Sequence, residues 1–525
     1  MTDRLPPCDL IGGVERYTWD LARGLHELGH EVHLIGRDDE LVRRESLGFT
    51  IHGIRPVDLD DRVGFTWHPI LTNNARYAVA VARRVAALQA DGLAFDVVHA
   101  SNWNVPGVAV LRTQLAPLVL MLVTPLSQIM GVQAWEVNDD LRRSVELDRW
   151  QIEHADAVCV PSWGVLSTYR DTMDLDLEPR RASLHRTPLG IAPTPVPSGL
   201  RPAGPPYRLL YVGRLEPRKG IQVLLDALPE LLAKHPDWHC DLVGDANPKV
   251  PGTEVTYRDR FLAMHAGAVW LDRVHFHHAV PDDRLARFYA ECDVFVAPSL
   301  FESFGLIYPE AMQYGKPVVG CRTGGIPESV RDGVDGILAE PGSVESLADG
   351  LDRLMSDRAL RERMGAAGLE RVRDDLNHRA MAARLAAVYE RVAADWRAGV
   401  RTAVEQPHAA TNGKPAAPVL GIVDALAAHV AAAPPAAAGP PPVSRTQRLR
   451  EMIEHFRREP IGGRLVPLKR LIFWFTASAF DRQAKVQEAM LAVLVEMEQE
   501  LAAPNRQPAS EPERPAAPAG GPSDG

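Results

Sequence analysis

The sequence predicts an α/β fold with two doubly wound parallel sheets in residues 1–396, followed by a helical C-terminal extension. Three observations carry that prediction. Short apolar runs alternate with helical stripes through both halves, the pattern of stacked strand–helix units. A Pro-rich stretch over 191–206 divides the halves. Residues 293–341 read as strand, loop, helix, strand, loop: 294–297 is apolar and bounded by Pro298 and Ser299, a polar turn follows, a helix is entered at Pro309, a second strand occupies 317–320, and a Gly-Gly-Ile-Pro turn ends it.

In the first half, Gly12-Gly13 precedes a stripe of Val14, Thr18, Leu21, Ala22, Leu25 and Leu28 that ends at Gly29, with a strand expected over 31–35. A glycine pair opening a helix lets backbone amides approach a phosphate closely, although a lone pair is more often a plain turn. Strand-like segments at 49–54, 95–100, 117–124 and 155–160 alternate with helical stretches near 73–90 and 139–154. Such alternation implies a doubly wound sheet. His99 closes the Asp96-Val97-Val98-His99 segment, at a strand end facing the expected crevice. A histidine at a strand end is more often a packing or turn residue than a catalyst.

In the second half, a strand over 207–212 runs into Gly213-Arg214-Leu215-Glu216-Pro217-Arg218-Lys219-Gly220, with a helix following to about His235. A glycine-flanked loop after a strand is where an anion site belongs, which favours an anion contact over solvated surface charge for the cations of this loop. Val243-Gly244-Asp245 ends the next strand, at the edge of the same crevice. The strand over 274–278 holds His275, His277 and His278, which read as cross-strand packing because no ligand spacing accompanies them. Glu302, on the loop after a strand, can reach sugar hydroxyls. Glu310, eight positions on in the first turn of a helix, can accept from a ribose diol. Taken alone, a Glu pair at this spacing is a weak signal and reads sooner as a solvated loop charge and a helix-dipole partner. Helical stripes near 343–356, 358–373 and 377–396 close the half.

The totals bound the function class. The 525 residues are 46% apolar and 24% charged, a globular composition long enough for two cores. A net charge of −10 gives no overall basic footprint, so no nucleic-acid partner is expected. Cys8, Cys159, Cys240, Cys292 and Cys321 are scattered without paired metal spacing, which fits a reducing compartment and argues against a zinc site or a disulfide frame. The longest apolar run, 115–126, is short and broken by Pro117 and Pro125, so no membrane span is predicted.

Taken together, Glu302 and Glu310, the Ser303-Phe304-Gly305-Leu306 between them, the Gly324-Gly325-Ile326-Pro327-Glu328 that follows and the whole stretch 12–32 resemble the retaining glycosyltransferases of family 4, glycosyl transferases group 1, with their E-x7-E signature. The resemblance covers most of residues 1–396. It implies the GT-B arrangement of two Rossmann-like domains facing across a cleft: 1–190 on the acceptor side and 191–396 binding the nucleotide sugar. It implies transfer of a sugar from a nucleotide sugar to an acceptor with retention at the anomeric carbon, in cell-envelope polysaccharide or glycolipid synthesis with a glycan or lipid-linked acceptor. Arg214 and Lys219 match the family's basic pair on the donor diphosphate, with Arg218 the weaker candidate, and with Glu302 they would be catalytic. Gly12, Gly13, Gly244, Ser303, Phe304, Gly305, Leu306 and Glu310 would bind the nucleotide sugar, and His99 would contact acceptor or donor. The nucleotide sugar is a co-substrate and no cofactor is implied.

The chemistry needs such cations, because negative charge grows on the leaving diphosphate as the glycosidic C–O bond breaks. No Asp-x-Asp motif stands at a strand end to hold a metal, so metal-independent activity is expected. Two departures from the family stand out. Met1-Thr2-Asp3-Arg4-Leu5-Pro6-Pro7 looks like the last residues of its first strand, so the true start is expected upstream. Where the family commonly carries a further histidine, this chain reads Leu122-Val123-Thr124-Pro125-Leu126, which implies a divergent acceptor side. The last stripe, 377–396, is expected to cross back and brace the first domain.

Residues 397–444 read as an Ala/Pro-rich linker holding one short helix around 419–430, and 503–525 as a disordered tail. Between them 445–502 is helical in pattern. From 445 to 485 it has ten basic residues against four acidic, with Leu471-Ile472-Phe473-Trp474-Phe475 following Lys469-Arg470. That suits an in-plane membrane helix, while the spacing in 486–501 suits self-association; both readings stand. The expected location is the cytoplasm, peripheral to the inner face of the membrane if the extension binds lipid. Two rival functions are a nucleotide-sugar epimerase of similar shape and a catalytically degenerate binding or scaffold protein.

Overall fold

A computed structural model describes residues 2–4, 12–37, 43–46, 48–55, 69–133, 135–400 and 417–431, all within the compact unit Met1–Pro440. The basic extension 445–502, the tail 503–525 and Cys8 lie outside the described residues.

The first half contains two sheets. Strands β1 (Thr2–Arg4), β2 (His33–Arg37), β3 (Arg43–Ser46) and β4 (Phe49–Ile54) lie in the order β1-β2-β4-β3, parallel except for β3 at the edge. Strands β5 (Val98–Ser101), β6 (Leu118–Met121), β7 (Ala157–Val160) and β8 (Leu184–Arg186) form an all-parallel sheet in sequence order. Helices α1 (Gly13–Glu27), α2 (Pro69–Ala90), α3 (Val108–Thr113), α4 (Leu126–Val132), α5 (Asp139–His154) and α6 (Gly164–Met173) make the crossovers. The alternation predicts one sheet here. Among the described residues β1 pairs only with β2 and β5 only with β6, so no strand joins the two sheets.

The second half is one six-stranded parallel sheet. Strands β9 (Tyr207–Val212), β10 (Trp238–Val243), β11 (Val274–His277), β12 (Val294–Val296), β13 (Val318–Cys321) and β14 (Gly336–Ala339) are ordered β11-β10-β9-β12-β13-β14. Helices α7 (Ile221–Lys234), α8 (Tyr257–Met264), α9 (Asp282–Glu291), α10 (Ile307–Met312), α11 (Ile326–Ser329), α12 (Val344–Ser356) and α13 (Arg358–Asp374) cover it. Helices on both faces bury a central parallel strand completely, and Val294, Phe295 and Val296 have no exposed surface. The chain builds outward from β9 to β11 and returns to β12, so the order reverses between β9 and β12. The loops leaving those two strands flank the crevice where ligands of such sheets sit.

Helix α14 (His378–Arg397) crosses back onto the first half, as the stripe over 377–396 predicts. Met381, Ala382 and Leu385 join Tyr17 and Leu21 of α1 in one core. The helices touch closely at Gly24, where a Cβ would lie 2.5 Å from the His378 carbonyl oxygen. His378 Nε2 also meets Glu27 at 3.0 Å.

One expectation is corrected in part. Residues 417–431 of the predicted linker form α15 (Ala417–Ala431), which docks on the first half. Val419, Ile422, Val423 and Leu426 are buried against Leu71, Ala75 and Val79 of α2 and Leu147 and Trp150 of α5. Arg112 pairs with Asp424 at 2.7 Å and Arg83 donates to the His429 carbonyl at 2.7 Å, fixing the register. The apolar stripe finds a hydrophobic face to cover, which composition alone does not reveal.

Candidate functional site

The loop after β9 begins at Gly213 and the loop after β10 at Gly244, whose φ is +143°. A Cβ on Gly244 would fall 2.2 Å from the Gly213 carbonyl oxygen, so the two loops lie backbone against backbone. Gly220 makes the corresponding contact with the loop after β12: at φ +66°, its Cβ would reach within 1.8 Å of the Pro298 carbonyl. Glycine at these two positions lets three loops meet at the switch point.

Charge is concentrated there. Lys219 Nζ lies 2.5 Å from Glu302 Oε1, and both side chains are largely buried. Ser299 Oγ donates to the same oxygen at 3.1 Å, and Arg218 Nη1 stands 3.5 Å from Glu302 Oε2. Burial alone would push the Glu302 carboxyl up, but Lys219 and Arg218 outweigh it and hold the group below its ordinary value. Burial lowers the Lys219 ammonium, with Glu302 opposing. Arg214 is 57% exposed at its side chain and donates to Glu216 Oε1 at 3.0 Å; Arg218 reaches the same oxygen at 3.3 Å. Glu216 is itself buried, and from the first half Gln133 Nε2 approaches its other oxygen at 3.4 Å.

Glu310 faces a different neighbourhood. It sits in the first turn of α10 and accepts from Tyr289 Oη at 2.9 Å. Burial raises its carboxyl, against the opposing effect of Arg16 on α1. Arg16 in turn has Asp20 Oδ2 of its own helix at 3.4 Å and Asp282 Oδ2 of α9 at 3.9 Å, so charges face one another across the two halves on this side. At the head of α1, Gly12 and Gly13 are exposed, and a Cβ on Gly13 would meet nothing within 4 Å. A Cβ on Gly12, by contrast, would lie 2.6 Å from Glu15 Oε2, so a carboxylate of the same helix stands beside an N-terminus that would otherwise suit an anion.

The segment between the two glutamates is mixed in character. Phe304 is fully buried and Leu306 nearly so, both in the core, while Gly305 adopts φ +85°. The Ser303 carbonyl accepts from Ser162 Oγ of the first half at 2.8 Å. Close by, the Gly164 amide donates to Glu328 Oε1 at 2.9 Å and Arg186 Nε to Glu328 Oε2 at 2.5 Å. The halves therefore touch at this end of the cleft.

The structure brings Arg214, Lys219, Glu302 and Gly244 together at the switch point, with Glu310 on the side facing α1. His99 requires a correction. It is the second residue of β5, not its end, because the ladder with β6 runs from Val98 to Ser101. Its Nε2 meets Tyr17 Oη at 2.9 Å and its ring packs against Tyr389 of α14, and burial depresses its pKa to about 3. It is a neutral residue within the contact between α1 and α14. Sequence reasoning passed over Glu216 and ranked Arg218 low; the one available signal was their alternation with Arg214 and Lys219 in a single loop. Of the strand histidines, His275 Nε2 meets His239 Nδ1 at 3.2 Å and His277 Nε2 meets Asp241 at 2.8 Å, cross-strand contacts in both cases. Among the described residues no group of three or more His, Cys, Asp or Glu could hold a metal ion, and no helix is long and apolar enough to cross a membrane.

Two α/β domains, with a charged, glycine-shaped crevice at the switch point of the second, make the GT-B architecture. The sequence profile of glycosyl transferases group 1 matches residues 198–371, and that of glycosyltransferase family 4 matches 11–182. The chain is 31% identical over 314 residues to a D-inositol 3-phosphate glycosyltransferase from Corynebacterium efficiens, covering 57% of this chain and 72% of that protein. It is 29% identical over 400 residues to a phosphatidyl-myo-inositol mannosyltransferase from Mycobacterium leprae, covering 73% and 94%. Its fold matches sucrose-phosphate synthase from Thermosynechococcus elongatus with a TM-score of 0.55 at 23% identity, covering 75% of this chain and 98% of the other. The catalytic domain of starch synthase IV from Arabidopsis thaliana gives 0.56 at 17% identity, covering 75% and 98%. The chain belongs to the family-4, group 1 glycosyltransferases, enzymes that transfer sugar from a nucleotide-sugar donor to an acceptor.

Proposed function

We propose that the protein is a retaining hexosyltransferase that moves a sugar from a nucleotide sugar to a glycan or lipid-linked acceptor in cell-envelope polysaccharide or glycolipid synthesis. The observation that carries this reading is the Lys219–Glu302 pair with Arg214 beside it, at the switch point of the second sheet. A relative named for mannosyl transfer to phosphatidyl-myo-inositol lends support to a lipid-linked acceptor.

In this reading the donor diphosphate lies over the loops leaving β9 and β10. Arg214, the exposed cation, closes on its oxygens, and Lys219 turns part of its charge from Glu302 to the leaving phosphate. Each well-placed donor would lower the barrier by roughly 3–4 kcal/mol as charge develops. Glu302, held by Lys219, Arg218 and Ser299, presents a fixed carboxylate to the sugar hydroxyls. Glu310 takes the ribose, with Tyr289 orienting it. The Gly12-Gly13 amides, with Ser303, Gly305 and the backbone of Phe304 and Leu306, complete the pocket from both halves. Retention follows if the departing phosphate accepts the acceptor's proton on the same face, which needs no protein nucleophile. With two cations on the diphosphate the reaction proceeds without a divalent metal. Domain limits of 1–190 and 191–396, and a place on the cytoplasmic side with 445–502 as membrane or self-association segment, belong to the same proposal.

The test is release of nucleotide from UDP-, GDP- and ADP-sugars with and without chelator, followed by the anomeric configuration of the product by NMR. Chelator-insensitive turnover of one donor to an axial-retained product is expected. An inverted product, or activity abolished by chelation, contradicts the proposal; an isomerised nucleotide sugar without transfer would favour the epimerase.

A further inference from the structure

Where the ends of β7 and β8 meet α14, beside the contact of Arg186 with Glu328, lies a cavity of about 360 Å³ walled by Arg181, His185, Arg186, Arg384 and Arg391, with Trp163 beside them. Four guanidinium groups around one cavity repel one another unless something answers their charge. Two are answered from within. Arg186 is bridged to Glu328 at 2.5 Å, and Arg384 pairs with the Asp375 carboxylate and donates to the Pro188 carbonyl at 3.3 Å.

Of the other two, one is answered weakly and one by no carboxylate among the described residues. Arg181 lies 4.6 Å over the Trp163 ring and meets Glu178 only at 3.9 Å, with both side chains more than half exposed. Arg391 donates to the Ala387 carbonyl of its own helix at 3.3 Å and faces His185 Nδ1 at 3.5 Å, with no carboxylate within ion-pair distance among the described residues. An imidazole nitrogen can accept from a guanidinium only when it is unprotonated, and burial and Arg391 both hold His185 in its neutral form. The cavity thus carries one cation, Arg391, with no carboxylate partner among the described residues, and a second, Arg181, whose partner Glu178 is solvent-exposed and reaches it only at 3.9 Å.

We propose that this cavity is a second binding site, separate from the nucleotide-sugar crevice, for a small ligand bearing phosphate groups, gripped by Arg181 and Arg391. Guanidinium forks match phosphate oxygens in geometry as well as charge, and the volume falls within the roughly 300–1,000 Å³ of ligand sites. The site is tied to domain contact. Arg186 on β8 and Glu328 on α11 join the two halves, and a phosphate in the cavity offers Arg186 a second partner. A phosphorylated lipid headgroup and a free phosphate compound share this chemistry.

Inorganic pyrophosphate, titrated calorimetrically into the full-length protein at low salt, tests the proposal. The donor loops also attract pyrophosphate, so the wild type is compared with Lys219→Ala, which weakens that site, and with the double variant Arg181→Ala/Arg391→Ala. Emission of Trp163, identified by difference from Trp163→Phe, reports occupancy of the cavity itself. The expected result is a Trp163 response kept in Lys219→Ala and weakened at least about tenfold in affinity in the double variant, as loss of two charge-assisted contacts implies. Nucleotide release by the double variant stays at the wild-type level without pyrophosphate, a readout that reports the transferase reading independently. Sedimentation with vesicles containing a phosphorylated phosphatidylinositol separates the sources: recovery that depends on Arg181 and Arg391 identifies a headgroup, and binding of pyrophosphate alone identifies a soluble ligand. No Trp163 response in the wild type, or an equal response in the double variant, overturns the proposal.

Discussion

Lys219 and Glu302, on loops leaving two different strands of the second sheet, form a buried ion pair 2.5 Å apart at the point where the strand order reverses. Removing one partner of such a pair strands the other charge, at a cost of roughly 3–5 kcal/mol, whereas removing both costs much less. Lys219→Met should therefore lower stability by roughly 3 kcal/mol, and adding Glu302→Gln should restore a large part. Urea midpoints of the two variants check this; strictly additive losses would mean that the pair is not coupled.

Glycine 164 holds the halves in contact. A Cβ there would lie 2.1 Å from the Gly324 carbonyl oxygen, backbone against backbone across the cleft. Gly164→Ala should wedge this end apart without disturbing either core: turnover falls at least about tenfold, in line with the sensitivity of transfer to misplacement, while urea unfolding is little changed. Unaltered turnover would show that this contact does not govern closure.

His99 gives a pH dependence of defined sign. Its folded pKa of about 3 lies below the ordinary 6.5, so between those values the unfolded chain binds more protons. Its contribution is fully present above the ordinary value and is lost as pH falls toward the folded one. In His99→Gln the fall in stability between about pH 6.5 and 4 should be shallower than in the wild type, measured as urea midpoints across that range. Parallel curves would place the acid sensitivity elsewhere.

Helix α15 should contribute real stability to the first half. Leu426 is fully buried among Leu71, Ala75 and Trp150, and Leu426→Ala should cost roughly 2–5 kcal/mol. Hydrogen exchange in α2 and α3 would rise with it. A variant as stable as the parent, with unchanged exchange, would mean that the helix is only loosely seated.

Periodicity made most of the elements legible, because the stripes of α1, α12 and α14 and the apolar runs of β9 and β12 each satisfy one spacing rule. Strand ends were less legible. Ladder partners fix them, and β5 begins at Val98 because it pairs with Leu118, which moved His99 from a strand end into a strand. The site was readable as a set of residues on two loops; the pairing inside it was not. Glu216 and Arg218 matter through partners 80 or so positions away in one case and within the same loop in the other, and no local pattern announces which carboxylate takes which cation. The docking of α15 was hidden for the same reason: an Ala-rich stripe says that a face will be covered, not by what.

The central claim is that the cations at the switch point drive sugar transfer, and Arg214 isolates it best. Its side chain is mostly exposed and, among the described residues, bonds only Glu216, so Arg214→Ala should leave folding intact. Steady-state nucleotide release with the preferred nucleotide sugar should fall in this variant by roughly 10²–10³-fold in kcat, with an unchanged urea midpoint. Turnover at the wild-type rate in a fully folded Arg214→Ala protein would contradict the account.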